Sequence, residues 1–328
     1  MKKILALILV LTLAALTVFT ASAEKLPTSM ALIVSGPAND QGWNAVAVAG
    51  LEATAEKFGL ETTIMENVSI ADSEAAFRQL AAEGYDIVIG HGYQYGEPAA
   101  AVSAEFPDKW FFATEAASYS DNAASYVMAC EQGAYVMGIL CGSMTQTKVI
   151  GVIGGFEQPS ITKELEAFKL GAASVDPEIK VLEIYINSFT DTNLGYEAAM
   201  TMINQNADVV YQVANQAGNG ALIACAEKGL YCCGNSYDQS SIAPGYVLSS
   251  TVYNMDQVMI TAVSSIFDGS FVGGVYNLGM DRNVVAIADY HELADVIPAD
   301  VQALIADTCA KITSGELVIP VISTPTTK

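Results

Sequence analysis

Positive charge is scarce in this chain. Its 328 residues hold 14 lysines and arginines against 36 acidic residues, with two histidines, His91 and His291. Arg78 and Arg282 are the only arginines. Neutralising phosphates takes clustered Lys and Arg, so nucleic acid is excluded as a partner, and anionic lipid surfaces fit no better. Carboxylate and phosphate ligands are usually clamped by bidentate arginine, so the shortage points to a neutral or cationic ligand. Catalytic signatures are missing too: there is no HExxH, GxSxG, CxxC or phosphate loop, and nothing calls for a cofactor or a metal. Glu97 and Glu157 could form an acid/base pair, but no spacing brings them together. The six cysteines (Cys130, Cys141, Cys225, Cys232, Cys233, Cys309) show no disulfide framework,. Most sit in apolar patterns and read as small buried hydrophobes.

The one long apolar run is at the start. Lys2 and Lys3 precede Ile4 to Phe19, and Ala21-Ser22-Ala23 is a small-x-small cleavage pattern. This reads as a secretory signal peptide, shorter than the roughly 20 residues of a membrane span. No cysteine lies near the cleavage site, the first being Cys130, so the expectation is a chain cut near Ala23, without a lipid anchor, free in the periplasm or secreted. Removing residues 1–23 leaves 305 residues with 12 basic against 36 acidic side chains, a net charge of −24. That length predicts about two domains.

Strand-like and helix-like segments alternate. Strands are expected at Met30–Ser35, Leu60–Glu66, Asp86–Gly90, Trp110–Thr114, Tyr126–Ala129, Val149–Ile153, Val181–Asn187, Asp208–Gln212, Leu230–Cys233 and Tyr246–Val252. Helical patterns separate most of them, which predicts an α/β fold of parallel sheets covered by helices on both faces. The halves also repeat. The run EAAFRQLAAEGYDIVI from Glu74 resembles EAAMTMINQNADVVY from Glu197, with an offset of 123 at the glutamate and 122 at the aspartates Asp86 and Asp208. Two doubly wound lobes facing each other across a cleft, with a hinge, account for this. The expected division is 24–145 plus about 254–275 for the first lobe and 146–253 plus about 276–328 for the second. The helix Met255–Phe267 would return to the first lobe.

Ligand-facing loops should follow the strands. The richest is Ser35–Asn44, SGPANDQGWN, where Gly36 and Pro37 stop a strand, Asn39 and Asp40 suit a helix N-cap, and Trp43 stands at the first turn,. The same stretch would serve a capped helix with its Trp in the core. Further along come Tyr93, Tyr95 and Glu97; then Phe156 and Glu157; Asn187, Phe189 and Asp191; Asn215 and Gln216; Ser236, Tyr237 and Asp238; and Tyr253. Aromatics alternate with amides and acids, without Lys or Arg. Such a set can sandwich a planar neutral heterocycle between rings and read its edge with amides and carboxylates. Singly, each residue is as readily a core or capping side chain, and His91 reads as a capped strand end; the argument is their recurrence at successive strand ends.

Several stretches carry a specific resemblance: GPANDQGW at Gly36–Trp43, ENVSIADSEAAFRQLAAEGYDIVI at Glu66–Ile89, YQYGEP at Tyr93–Pro98, EFPDKWFFAT at Glu105–Thr114, EQGAYVMG at Glu131–Gly138, INSFTD at Ile186–Asp191 and YDQSSIAPGYVLSSTVYN at Tyr237–Asn254. Together they resemble the basic membrane protein family of exported solute-binding proteins, which includes purine nucleoside receptors of ABC importers. The resemblance implies the periplasmic-binding type I fold, a monomer, and delivery of ligand to a membrane permease. Nucleoside-binding members usually carry Lys where this chain has Tyr253 and Asp where it has Ser236, residues that serve the ribose. An aromatic at the first position resembles the branch that takes free bases such as adenine, although Asn215 stands where that branch often has Asp. The implied site is Trp43 with Phe156 or Phe189 on the faces of a purine, and Asn39, Asp40, Asn187, Asn215 and Asp238 at its edge. A nucleoside, a sugar held by the same fold, and a ligand sensor are the alternatives.

Overall fold

The computed structural model describes residues 26–40 and 42–326. The expectations of a signal peptide, of cleavage near Ala23 and of no lipid anchor fall outside the described residues; among these, no helix is long and apolar enough to cross a membrane.

In chain order the first half lays down β1 (Ser29–Ile33), α1 (Trp43–Phe58), β2 (Glu61–Met65), α2 (Ser73–Glu83), β3 (Ile87–Gly90), α3 (Gly96–Ser103), β4 (Trp110–Thr114) and β5 (Ala123–Met128). Then come α4 (Cys130–Met144), β6 (Val149–Gly154), α5 (Pro159–Val175), β7 (Lys180–Tyr185), α6 (Thr192–Ile203), β8 (Val209–Val213), α7 (Asn215–Glu227), β9 (Tyr231–Gly234) and β10 (Val247–Tyr253). The chain finishes with α8 (Met255–Phe267), β11 (Val275–Leu278), β12 (Val285–Ile287) and α9 (Ala299–Ser314). Two six-stranded sheets result, ordered β11-β5-β4-β3-β1-β2 and β12-β10-β9-β8-β6-β7. Among the described residues, every pairing between these strands is parallel except β10 with β12.

Central strands such as β1 and β3 are apolar along most of their length because both faces are covered by helices,. The repeat seen in the sequence falls on α2–β3 and α6–β8, equivalent positions in the two sheets. Its two aspartates do the same work. Asp86 accepts the Thr28 N–H (2.7 Å), and Asp208 accepts those of Gln146 (2.6 Å) and Thr147 (2.9 Å), each steadying the turn that enters the neighbouring first strand.

The chain crosses between the sheets after β5, after β10 and after β11. Residues 130–144 go with the second sheet because α4 packs on α5 and lies over β8, β9, β10 and β12. The two helices approach closely at Gly138 and Gly171, where an added Cβ would stand about 2 Å from the carbonyl oxygens of Phe168 and Tyr135. As expected from the sequence, α8 returns to pack on α1. The strand β11, absent from the sequence reading, then pairs with β5, so the chain stays with the first sheet to Leu278.

Candidate functional site

In each sheet the strand order reverses beside the first strand, between β1 and β3 in one and β6 and β8 in the other. Ligands bind open α/β sheets at such switch points, beyond the carboxyl ends of the strands. Here the two face each other across a cavity of about 710 Å³, within the range of small-molecule sites.

From the first lobe, the β1–α1 turn supplies Asn39, Asp40 and Trp43. Asp40 caps α1: its carboxylate accepts the N–H groups of Gly42 (2.9 Å), Asn44 (3.1 Å) and Ala45 (3.0 Å),. The indole of Trp43 stacks on His91, with ring centroids 4.2 Å apart and planes 23° from parallel. His91 is fully buried at the end of β3, and burial holds its pKa down at about 3. The neutral ring is fixed by its bonds: Nε2–H donates to the Trp43 carbonyl (3.0 Å) and Nδ1 accepts the Thr114 hydroxyl (2.9 Å). His91 therefore serves as a brace behind Trp43. Tyr93 also borders the cavity and is largely exposed.

From the second lobe come Phe189, Asn215, Ser236 and Tyr253. Asn215, at the start of α7, reaches across the cleft. Its Oδ1 accepts the Trp43 backbone N–H (2.9 Å) and its Nδ2 donates to Asp40 (3.4 Å). Gly42 permits this approach, since a Cβ there would stand 1.8 Å from Asn215 Oδ1.

The floor is a buried polar network that sequence reasoning missed. Glu164, near the start of α5, accepts the Tyr253 hydroxyl (2.5 Å) and the Asn235 amide (2.9 Å) on Oε2. The Asn235 Nδ2 also lies within bonding distance of the Tyr211 and Thr251 hydroxyls. Burial pushes the Glu164 carboxyl up to about 7, with the Tyr253 and Asn235 hydrogen bonds and nearby Lys163 pulling the other way. Opposite it, Glu115 lines the cavity, while Lys163 lies within 3.5 Å of both Glu115 and Glu131. Burial works against the lysine's charge, but these carboxylates outweigh it and raise its pKa. Asp40, Glu115 and Glu164 give the cavity wall three carboxyl groups, and among the described residues neither Lys nor Arg lines it.

Six expected site residues do not line this cavity. Tyr95 is buried in the outer core of the first lobe, its hydroxyl donating to the Val68 carbonyl (2.9 Å). Glu97 is exposed on the first turn of α3. Phe156 packs edge-on against Phe189, with centroids 5.0 Å apart, and so buttresses it. Asn187 is exposed in a left-handed turn (φ 54°). Asp191 caps α6 through the Asn193 N–H (3.0 Å). Asp238 pairs with His291 (2.6 Å) on the surface. The five cysteines before Cys309 are buried as free thiols.

Two lobes of this topology, each contributing side chains to one enclosed cleft, define a two-lobed periplasmic-binding-type solute-binding protein. Residues 28–323 match the family model described as ABC transporter substrate-binding protein, PnrA-like, and the chain belongs to that family. Its members bind small molecules and deliver them to a membrane permease; they are not enzymes. Among relatives, a purine-binding protein of Brucella abortus is 29% identical over 297 residues, covering 90% of this chain and 83% of its own. A protein of Haloferax volcanii whose name assigns it provisionally to glucose binding is 25% identical, over 82% and 70% of the respective chains. The crystal structure of an ABC transporter solute-binding protein from Aeropyrum pernix K1 superposes with a TM-score of 0.79 at 22% identity, covering 90% of this chain and 94% of that one.

Proposed function

We propose that this chain binds a purine nucleobase, adenine or a close analogue, in the interlobe cleft, acting as a monomer outside the cytoplasm and passing the base to its permease. The observation that carries this reading is the braced Trp43: one face of the indole lies on His91, and the residue opens onto a cavity with three carboxyl groups and no cationic side chain. A planar, neutral, donor-bearing heterocycle suits such a place, and a carboxylate or phosphate does not. Phe189 offers a second ring from the other lobe, with Asn39 and Ser236 among the polar groups available to the edge. Two further points favour a base over a nucleoside. Tyr253 stands where nucleoside-binding relatives usually carry Lys, and its hydroxyl is committed to Glu164 rather than free for a sugar. The purine-binding relative from Brucella abortus supports the same ligand class.

The test is a thermal-shift panel on refolded, ligand-free protein with adenine, guanine, hypoxanthine, xanthine, adenosine, guanosine and glucose. A ligand that binds only the native state raises its melting temperature by mass action. Shifts with free bases and little with nucleosides are expected. Larger shifts with nucleosides would overturn the base reading, and a response to glucose alone would place this chain with the provisional Haloferax volcanii assignment.

A further inference from the structure

One carboxylate oxygen on the cavity floor is unspent. Glu164 is only 4% exposed yet lines the cavity. Its Oε2 is taken by Tyr253 and Asn235, while Oε1 has no hydrogen-bond partner among the described residues. The surrounding bonds hold the group as an acceptor. Asn235 Oδ1 accepts the Ser236 hydroxyl (2.9 Å), which turns the amide so that Nδ2 points to Glu164. A ligand that fills the cavity strips water from this oxygen, and a donor on the ligand offsets that cost,.

Building on the nucleobase reading, we infer that Glu164 is the specificity-determining residue of the cleft, its free oxygen accepting a hydrogen bond from an amino group on the base. Adenine carries an amino group where hypoxanthine carries a carbonyl. A carbonyl turned to this floor sets acceptor against acceptor, so amino-bearing purines are the selected class. Because Oε2 holds two donors, a proton on Glu164 would sit on Oε1 and turn that acceptor into a donor, so the acceptor at this position requires the ionised form,. The charged or titratable groups facing it are Lys163 on its own helix, Glu115 beyond β4, Cys130 and Glu131 on α4, Tyr211 on β8 and Tyr253 on β10. With the free carboxyl titrating at about 7, adenine affinity should rise roughly tenfold from about pH 6 to about pH 8, with release of a proton on binding.

The experiment is calorimetric titration of adenine and hypoxanthine into wild-type and Glu164→Gln protein across that pH range. Wild type is expected to prefer adenine. Glu164→Gln should weaken adenine about tenfold, strengthen hypoxanthine because the amide NH2 then stands where the free oxygen did, and flatten the pH dependence of adenine binding,. Equal effects on both bases, or a pH dependence that survives the substitution, would overturn the inference while leaving the nucleobase reading intact. If wild type binds neither base, that reading fails and takes this one with it. Should Glu164→Gln not fold, Tyr253→Phe is the alternative. It removes a donor from Glu164 but not its charge, so the pH midpoint for adenine should move up, and an unmoved midpoint counts against the assignment.

Discussion

Removing the Asn215 side chain should loosen the closed state without touching the rest of the ligand's surroundings. The side chain makes two bonds across the cleft, to the Trp43 N–H at 2.9 Å and to the Asp40 carboxylate at a longer 3.4 Å. A neutral hydrogen bond contributes about 1 kcal/mol net and one to a charged group somewhat more. The length of the second discounts it, so the pair favours closure by about 2 kcal/mol, or roughly 30-fold in the closed-to-open ratio. If the free protein is mostly open, apparent affinity falls by the same factor, because binding must supply the lost closure energy. The signature of Asn215→Ala is therefore a uniform loss of roughly 30-fold for every ligand the protein binds, measured by calorimetry, with small-angle scattering showing a more open liganded ensemble at subsaturating ligand. Gly42→Ala should act likewise, since its Cβ would stand 1.8 Å from Asn215 Oδ1. Unchanged affinity would refute the latch. A loss confined to one ligand would make Asn215 a direct contact with the base.

Replacing Trp43 by Ala should cost roughly 1–3 kcal/mol of base affinity, the worth of one base–aromatic stack, while Trp43→Phe retains part of it; unaltered binding in both variants would remove Trp43 from the site. His91 makes a pH prediction. Its pKa is depressed from 6.5 to about 3 in the folded protein, so its contribution to stability is fully present above about 6.5 and is lost as pH falls toward 3. Between pH 6.5 and pH 4 that amounts to about 3 kcal/mol, partly masked in wild type by Glu164, whose raised pKa acts in the opposite direction over about pH 4.5 to 7. Urea unfolding at several pH values should show a shallower acid decline for His91→Gln than for wild type, and parallel declines would contradict this account.

The sequence by itself determined the local elements and their order. Apolar runs bounded by helix-forming segments are properties of neighbouring residues, and the repeat from Glu74 and Glu197 landed on equivalent strands of two sheets because both copies obey the same local rules. The loop before α1 was legible for the same reason: Gly36, Pro37, Asp40 and Trp43 write a strand end, a cap and a first turn within ten residues. Between Tyr93 and Tyr95 the pattern could not choose, since two positions apart in a short 3-10 turn they point opposite ways, one to the cavity and one to the core. The edge strands β11 and β12 were invisible, being short and, in β11, largely exposed. Only the tertiary structure decided that α4 belongs to the second lobe, that Asn215 spans the cleft and that Glu164 lies on its floor. The sequence reading passed over Lys163, Glu164 and Glu166, whose charges carry no local sign of burial. Lys163 is buried between Glu115 and Glu131, Glu164 against Asn235 and Tyr253, and Glu166 beneath Thr326, and such burial depends on partners far away along the chain.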